Sequence, residues 1–573
     1  MYMKKTTFYS FLFLLISSFI FAQNITYKER NPEFEYFDFS NDTIVIPLKT
    51  PLGLDNKTVF TSKLPYPIIF IHGLNSSSET WNSSSNFIDF QYGFTFGGRF
   101  DYCLNANEND GNTNTNFYPT ANADIAAFDG TTIQNGDYYY VNFRVNSNGS
   151  IGDNQLSNQA AIVKQGKAVK NAVERVLTLT GKDKVILVGH SMGGLASREY
   201  IQNSYNWQAD NQHHVAKFLT VGTPHGGSNA SDTGLGWFAG IDTHSEAIRD
   251  LKITYYYSGD QGRYLFGGIE VNNSSNMNEH LFGADFFNYD VNCNGAIGDN
   301  VTGINQKPID NLIDFSCIIG KVNGSSTDGV VTETSAKMNN YFPSLTYPAK
   351  YFYYTSIGIE NHTALPSQYF EIFQGLDEPQ VKELAYTVET NKDYIGFTTI
   401  QETSSNSDID IYKFNISDPM IVNINVSDIV TSQMTAEIQD MSGSTITPIS
   451  NNSGSFLNFT ATLASGDYYL KLTSITPTSS NYLTPYQFNI ATTLDTDNFV
   501  EKGINVYPNP FSNSIYLDQV EFTKGYVYSI LGEKVLEFDN SLQTLDTSEI
   551  AKGIYIITLE NSESNQSFKM IKE

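Results

Sequence analysis

Cysteine is nearly missing from this chain of 573 residues, which has only Cys103, Cys293 and Cys317. Three thiols build no disulfide scaffold, and an odd count leaves at least one unpaired within a monomer. Cys293 and Cys317 are either a bridge or two ordinary small buried residues. Positive charge is also scarce: 34 Lys and Arg stand against 61 Asp and Glu, a net charge of −27 with a pI near 4.6. That balance argues against nucleic acid or an anionic membrane surface as an electrostatic partner. Beyond the first two dozen residues no apolar run is long enough to cross a bilayer, so no stable membrane span is expected. No clustered His and Cys pattern suits zinc.

What is abundant is Asn, Ser, Thr and Gly, with aromatic residues at 14%, mostly Tyr and Phe. This texture fits an exported, β-rich protein. The length predicts about three to four domains. At the start, Lys4 and Lys5 precede an apolar run from Phe8 to Phe21 that closes at Ala22-Gln23. That order of charged, apolar and small residues predicts a secretory signal peptide over 1–22. An N-terminal membrane anchor is the rival reading, weakened by the serines within a run already short for a span.

The chemistry concentrates between Lys184 and Tyr200, KVILVGHSMGGLASREY. Val185 to Val188 is a short apolar run of the kind buried on both faces of a parallel sheet, and from Met192 onward the residues suit a helix. Between them, Gly189-His190-Ser191-Met192-Gly193 is a G-x-S-x-G turn. Upstream, Tyr138 to Val145 predicts a strand, and apolar positions between Gln159 and Leu179 predict an amphipathic helix. With the Val185 strand they make a βαβ unit. The run Ile68 to Ile71 predicts another buried strand, ending in His72-Gly73-Leu74, and further strands are predicted at Val215 to Thr223, Phe315 to Gly320 and Tyr351 to Ser356. The stretch from Asn82 to Gly136, without clear periodicity, is expected to be a surface excursion.

The strand–turn–helix around Ser191 resembles the nucleophile elbow of the α/β-hydrolase superfamily. The stretch Gly222-Thr223-Pro224-His225-Gly226-Gly227-Ser228 sharpens the resemblance toward lipase-like members. It implies a mostly parallel sheet flanked by helices, a Ser nucleophile at Ser191, and an oxyanion hole from the backbone N–H groups of Leu74 and Met192. The superfamily's chain order of nucleophile, acid and base then points to Asp328 in Ser-Ser-Thr-Asp-Gly-Val-Val and to His362. Of the eight histidines, His362 alone follows Asp328. His72 reads as a structural histidine. Residues 229–311, too long for a simple connection and rich in aromatics, are expected to form a lid-like insertion, or else a decorative subdomain. Within it, Asp290, Asn292, Asn294 and Asp299 resemble the first half of an EF-hand-like calcium loop, although Val301 stands where that motif needs Glu. A structural calcium site and an Asn/Gly turn both remain open there, and the triad itself requires no cofactor.

Past residue 384 the texture changes to short alternating strands, among them Asp408 to Phe414, Met420 to Val426 and Gly466 to Leu472. Residues 384–495 are therefore expected to form a β-sandwich module, similar to the pre-peptidase C-terminal domain. The end of the chain, 503–573, carries Val506-Tyr507-Pro508-Asn509-Pro510-Phe511, Leu531-Gly532-Glu533-Lys534 and a terminal Lys569-Met570-Ile571-Lys572. These pieces resemble the C-terminal sorting domain read by the type IX secretion machinery, which implies a secreted or cell-surface protein. The expected whole is an α/β-hydrolase over 23–383 followed by two all-β modules. Its expected activity is cleavage of small-molecule or lipid carboxylic esters, as a lipase or carboxylesterase does, through an acyl-enzyme. The same triad suits amidase, thioesterase or phospholipase chemistry, and a non-catalytic surface binding protein is the alternative from a different class.

Overall fold

The structure is a computed structural model. It describes residues 63–104, 126–146, 148–151, 157–228, 245–252, 303–321, 325–342, 345, 350–354, 362–399, 407–431, 433–475, 485–493, 505–518, 522–530, 532–540, 544–560 and 565–573. Outside them lie the expected signal peptide, most of the insertion over 229–311, and all four residues of the proposed calcium loop, Asp290, Asn292, Asn294 and Asp299. The chain divides into two compact units: Met1–Asn415 with Asn423–Thr460 and Gly466–Ala491, and Ile416–Val422 with Ala461–Ser465 and Thr492–Glu573.

The first unit is built on an eight-stranded sheet. Its strands are β1 (Ile68–Ile71), β2 (Phe96–Cys103), β3 (Ala126–Asp129), β4 (Tyr138–Asn142), β5 (Val185–His190), β6 (Val215–Val221), β7 (Asp314–Gly320) and β8 (Lys350–Tyr354), in spatial order β3-β2-β4-β1-β5-β6-β7-β8. Every pairing is parallel except β2 with β3. The central strands are fully buried, as their unbroken β-branched runs require of a sheet covered on both faces. Helix α1 (Asn82–Tyr92) precedes β2, α2 (Ile162–Thr180) precedes β5, and α3 (Met192–Gln202) follows it. In α2 the buried stripe Val169, Ala172, Val173 and Val176 recurs at helical spacing, and Gly181 at φ 67° ends the helix in the left-handed conformation.

The expected surface excursion from Asn82 is largely regular structure. Helix α1 reads NSSSNFIDFQY and hides its period because its buried face is made of serines. Ser84 Oγ donates to the carbonyl of Pro366 at 2.7 Å, and Ser83 meets Ser367 at 3.5 Å. Strand β2 carries Gly97 and Gly98 where a β-branched run is expected, because the ring of Tyr139 fills the space a side chain at Gly97 needs. Cys317, on β7, is a free buried thiol, so the bridge to Cys293 is not formed.

Beyond the sheet come α4 (Glu246–Lys252), α5 (Glu333–Ala336) and α6 (Tyr369–Gly375). Two β-sheets follow in chain order: β10-β17-β12-β15 and β14-β13-β16-β11-β9. Their strands are β9 (Tyr386–Thr387), β10 (Asp393–Gly396), β11 (Ser407–Ile416), β12 (Met420–Ser427), β13 (Gln433–Gln439), β14 (Ser450–Asn451), β15 (Leu457–Leu463), β16 (Gly466–Ile475) and β17 (Tyr486–Thr493). The second unit ends in two antiparallel sheets formed by residues 505–572, around a core that includes Phe511, Ile515, Val527 and Ile557.

One buried ion pair sits low in the first sheet. Lys217 Nζ on β6 donates to Asp314 Oδ2 on β7 at 2.6 Å, to Ser316 Oγ at 2.9 Å and to the Asp377 carbonyl at 2.9 Å. Breaking a buried pair strands a charge, whereas replacing both members by apolar groups of similar volume is often neutral. Lys217→Met is therefore expected to destabilise the protein by about 3–5 kcal/mol, with the Lys217→Met/Asp314→Leu double variant recovering most of the loss. Urea unfolding of the two variants measures both effects.

Candidate active site

The residues expected to act together come from loops beyond the carboxyl ends of β1, β5, β7 and β8, where α/β sheets gather their ligand-binding residues. Ser191 caps β5 and opens α3. Its backbone sits at φ 53°, ψ −126°, a strained conformation for a residue with a side chain. Close packing accounts for the two flanking glycines. A Cβ on Gly189 lies 2.6 Å from the Gly194 backbone, and one on Gly193 lies 2.5 Å from the His72 carbonyl oxygen. The turn is pinned by Ser191 N–H donating to the Val221 carbonyl of β6 at 2.9 Å.

The structure brings Ser191, Asp328 and His362 into one hydrogen-bonded line. His362 Nδ1 lies 2.8 Å from Asp328 Oδ2, and His362 Nε2 lies 2.7 Å from Ser191 Oγ. A carboxylate only accepts, so the proton is on Nδ1, Nε2 is the acceptor, and Ser191 donates its hydroxyl to it. Asp328 is 1% exposed, while Ser191 and His362 are 8% and 7% exposed. Its second oxygen, Oδ1, accepts from Val330 N–H at 2.9 Å and Val331 N–H at 2.7 Å. Burial raises the Asp328 carboxyl, but His362 beside it and these backbone donors outweigh burial and hold it below the usual carboxylate range.

Met192 is the first residue of α3, so its N–H has no intrahelical acceptor and lies at the positive end of the helix dipole. The Gly73–Leu74 backbone passes directly over the nucleophile: a Cβ on Gly73 falls 2.7 Å from Ser191 Cβ. His72 anchors that loop through both ring nitrogens. Nδ1–H donates to the Gly73 carbonyl at 2.9 Å, and Nε2 accepts from Phe143 N–H at 2.9 Å. Burial pushes its pKa down to about 4, keeping it neutral.

Two supporting residues leave no mark in sequence pattern. Asn158 donates Nδ2–H to the Gly73 carbonyl at 3.1 Å and accepts from Asn75 N–H, clamping the loop that bears Leu74. His190 donates Nε2–H to the main-chain carbonyl of His362 at 2.9 Å, and its ring lies 4.9 Å from the His362 ring. Burial first, and the charge of His362 second, push the His190 pKa down to about 3, so the ring is neutral beside the imidazole it positions. Only the place of His190 inside G-x-S-x-G hinted at a role.

Residues 65–246 match the family model described as a PGAP1-like alpha/beta domain, and residues 505–573 match that of a secretion system C-terminal sorting domain. No match was found among curated proteins. Similar solved structures include the product of gene lin2722 from Listeria innocua, 16% identical with a TM-score of 0.32 over 56% of this chain and 96% of that one. The Bacillus licheniformis lipase BlEst2 in propeptide form is 15% identical, with a TM-score of 0.27 over 90% of this chain and 94% of that one. The pre-peptidase C-terminal domain of a Bacillus anthracis collagenase is 17% identical, with a TM-score of 0.16 over 20% of this chain and 98% of that one.

His72 and His190 are neutral in the fold at pH values where a free histidine, near 6.5, is charged. Between about pH 4 and 6.5 the unfolded chain therefore binds more protons, and stability falls as pH drops through that window. His190→Gln, which keeps a donor for the His362 carbonyl, is expected to weaken this pH dependence by about one proton, read from melting temperature against pH. The chain thus carries an α/β-hydrolase fold, similar to PGAP1-like α/β domains over residues 65–246, joined to a C-terminal sorting domain at residues 505–573.

Proposed function

We propose that the protein is a secreted serine hydrolase that cleaves carboxylic esters through an acyl-enzyme. The observation that carries this reading is the unbroken line from buried Asp328 through His362 to the Ser191 hydroxyl. Ser191 Oγ attacks the acyl carbonyl while His362 Nε2 takes its proton. Asp328 holds the ring in the required tautomer and stabilises the imidazolium. The backbone N–H groups of Leu74 and Met192 receive the oxyanion, and His362 returns the proton to the departing alcohol. A water molecule, activated by the same imidazole, then releases the acid.

A general base and a preorganised donor pair meet the needs of acyl transfer without a metal or an organic cofactor. Esters are the proposed class because the resemblance around Thr223-Pro224 leads toward lipase-like hydrolases. Amide, thioester and phospholipid acyl substrates call on the same groups. The sorting-domain match indicates delivery by a type IX secretion system to the cell surface or the extracellular space.

Ser191→Ala, His362→Ala and Asp328→Asn are each expected to lower kcat for p-nitrophenyl esters by roughly 10³–10⁶-fold while leaving the melting curve near wild type. An Asp328→Asn variant with wild-type turnover contradicts the acid assignment. Run beside peptide amides, an ester series of rising chain length tests the substrate class. Esters are expected to turn over faster, and amides outpacing every ester contradicts the assignment.

A further inference from the structure

A second concentration of charge lies away from Ser191, where the chain leaves the α/β sheet. Asp377 follows α6, while Asp408 and Asp410 lie on β11, and one carboxylate oxygen from each falls within 4.8 Å of the others, all three side chains being buried. Glu378, also buried, is next in the chain. The cluster is braced from its outer side. Asp408 accepts from Thr399 N–H at 2.9 Å, Asp410 Oδ2 from Tyr486 O–H at 2.7 Å, and Glu378 Oε2 from Phe397 N–H at 2.9 Å. The Asp377 main chain is fixed in turn by Lys217, which spends its charge on Asp314.

Two further observations point to a missing partner. Asp410 is 1% exposed, and its Oδ1 has no hydrogen-bond partner. The hydroxyl of buried Tyr386 is likewise without a partner, close enough to Asp377 and Glu378 for their charges to raise its pKa. A buried polar atom left unsatisfied costs about 1–3 kcal/mol, and a buried carboxylate beside others costs more. Burial and the charges of Asp408, Asp377 and Glu378 push the Asp410 carboxyl well above its usual range, so the group is unstable as a bare anion. Oxygens that bind one ion at about 2.4 Å lie at most about 4.8 Å apart, the limit observed here.

We propose that Asp377, Asp408 and Asp410 hold a hard divalent cation, calcium by preference, which ties the segment leaving the α/β sheet to strand β11. An all-oxygen, carboxylate-rich donor set excludes a soft-metal preference, and calcium accepts irregular geometry more readily than magnesium. Because these ligands come from both sides of a connecting segment, the ion stabilises the folded arrangement by binding it and not the unfolded chain.

The test uses the full chain, stripped of metal and then titrated separately with calcium and magnesium. Melting temperature and bound metal per chain are the readouts. Calcium is expected to raise the melting temperature by about 5 °C or more at saturation, and magnesium by less. Asp408→Asn/Asp410→Asn is expected to lose one calcium per chain, whereas Asp290→Asn/Asp299→Asn retains that ion. A wild-type melting curve indifferent to calcium overturns the proposal. So does an Asp410→Asn variant more stable than metal-free wild type but with unchanged metal content, the behaviour of carboxylates that merely share protons.

Discussion

Asp328 is a buried carboxylate whose oxygens are spoken for on both sides, by two backbone N–H groups at one end and the His362 ring at the other. Everything at the mouth of the sheet depends on that arrangement. The backbone donors keep the acid ionised and fixed, the acid fixes the tautomer of His362, and the tautomer leaves Nε2 as an acceptor for Ser191. The strained turn at Ser191 raises the hydroxyl to meet it, and packing of Gly189 and Gly193 against neighbouring backbone keeps that turn from relaxing. Strain of this kind persists where the surroundings over-determine it.

A further layer holds the catalytic candidates from behind. His190, a neighbour of Ser191 in sequence, reaches over to the main chain of His362, so the elbow itself secures the loop bearing its partner. The serines of α1 hold the turn after His362, and Asn158 with His72 holds the loop that ends in Leu74. These contacts are made between neutral groups. In a buried site next to an imidazole that gains charge during reaction, neutral supports avoid the repulsion that a second imidazolium brings.

The central strands and the G-x-S-x-G turn were legible in the sequence because a parallel sheet buried on both faces leaves continuous apolar runs, as in Val185 to Val188. Chain order was enough to bring Asp328 and His362 to Ser191, since one histidine alone follows that acid. Helix α1 and strand β2 were not legible: their buried faces are serines and glycines that answer to distant partners, Pro366 and Tyr139, and not to local periodicity. The same holds for Asn158 and for the Asp377–Asp408–Asp410 cluster, whose members lie on separate elements and meet only in the fold. The motif-based calcium loop at Asp290 rests on local spacing alone and falls outside the described residues.

The serine-nucleophile mechanism is tested most directly by treating the folded protein with a fluorophosphonate and locating the adduct by peptide mass spectrometry. One label per chain on Ser191, lost in His362→Ala and in protein denatured before treatment, is the expected result. A folded protein whose Ser191 stays unlabelled, or whose label falls on another serine, contradicts the mechanism.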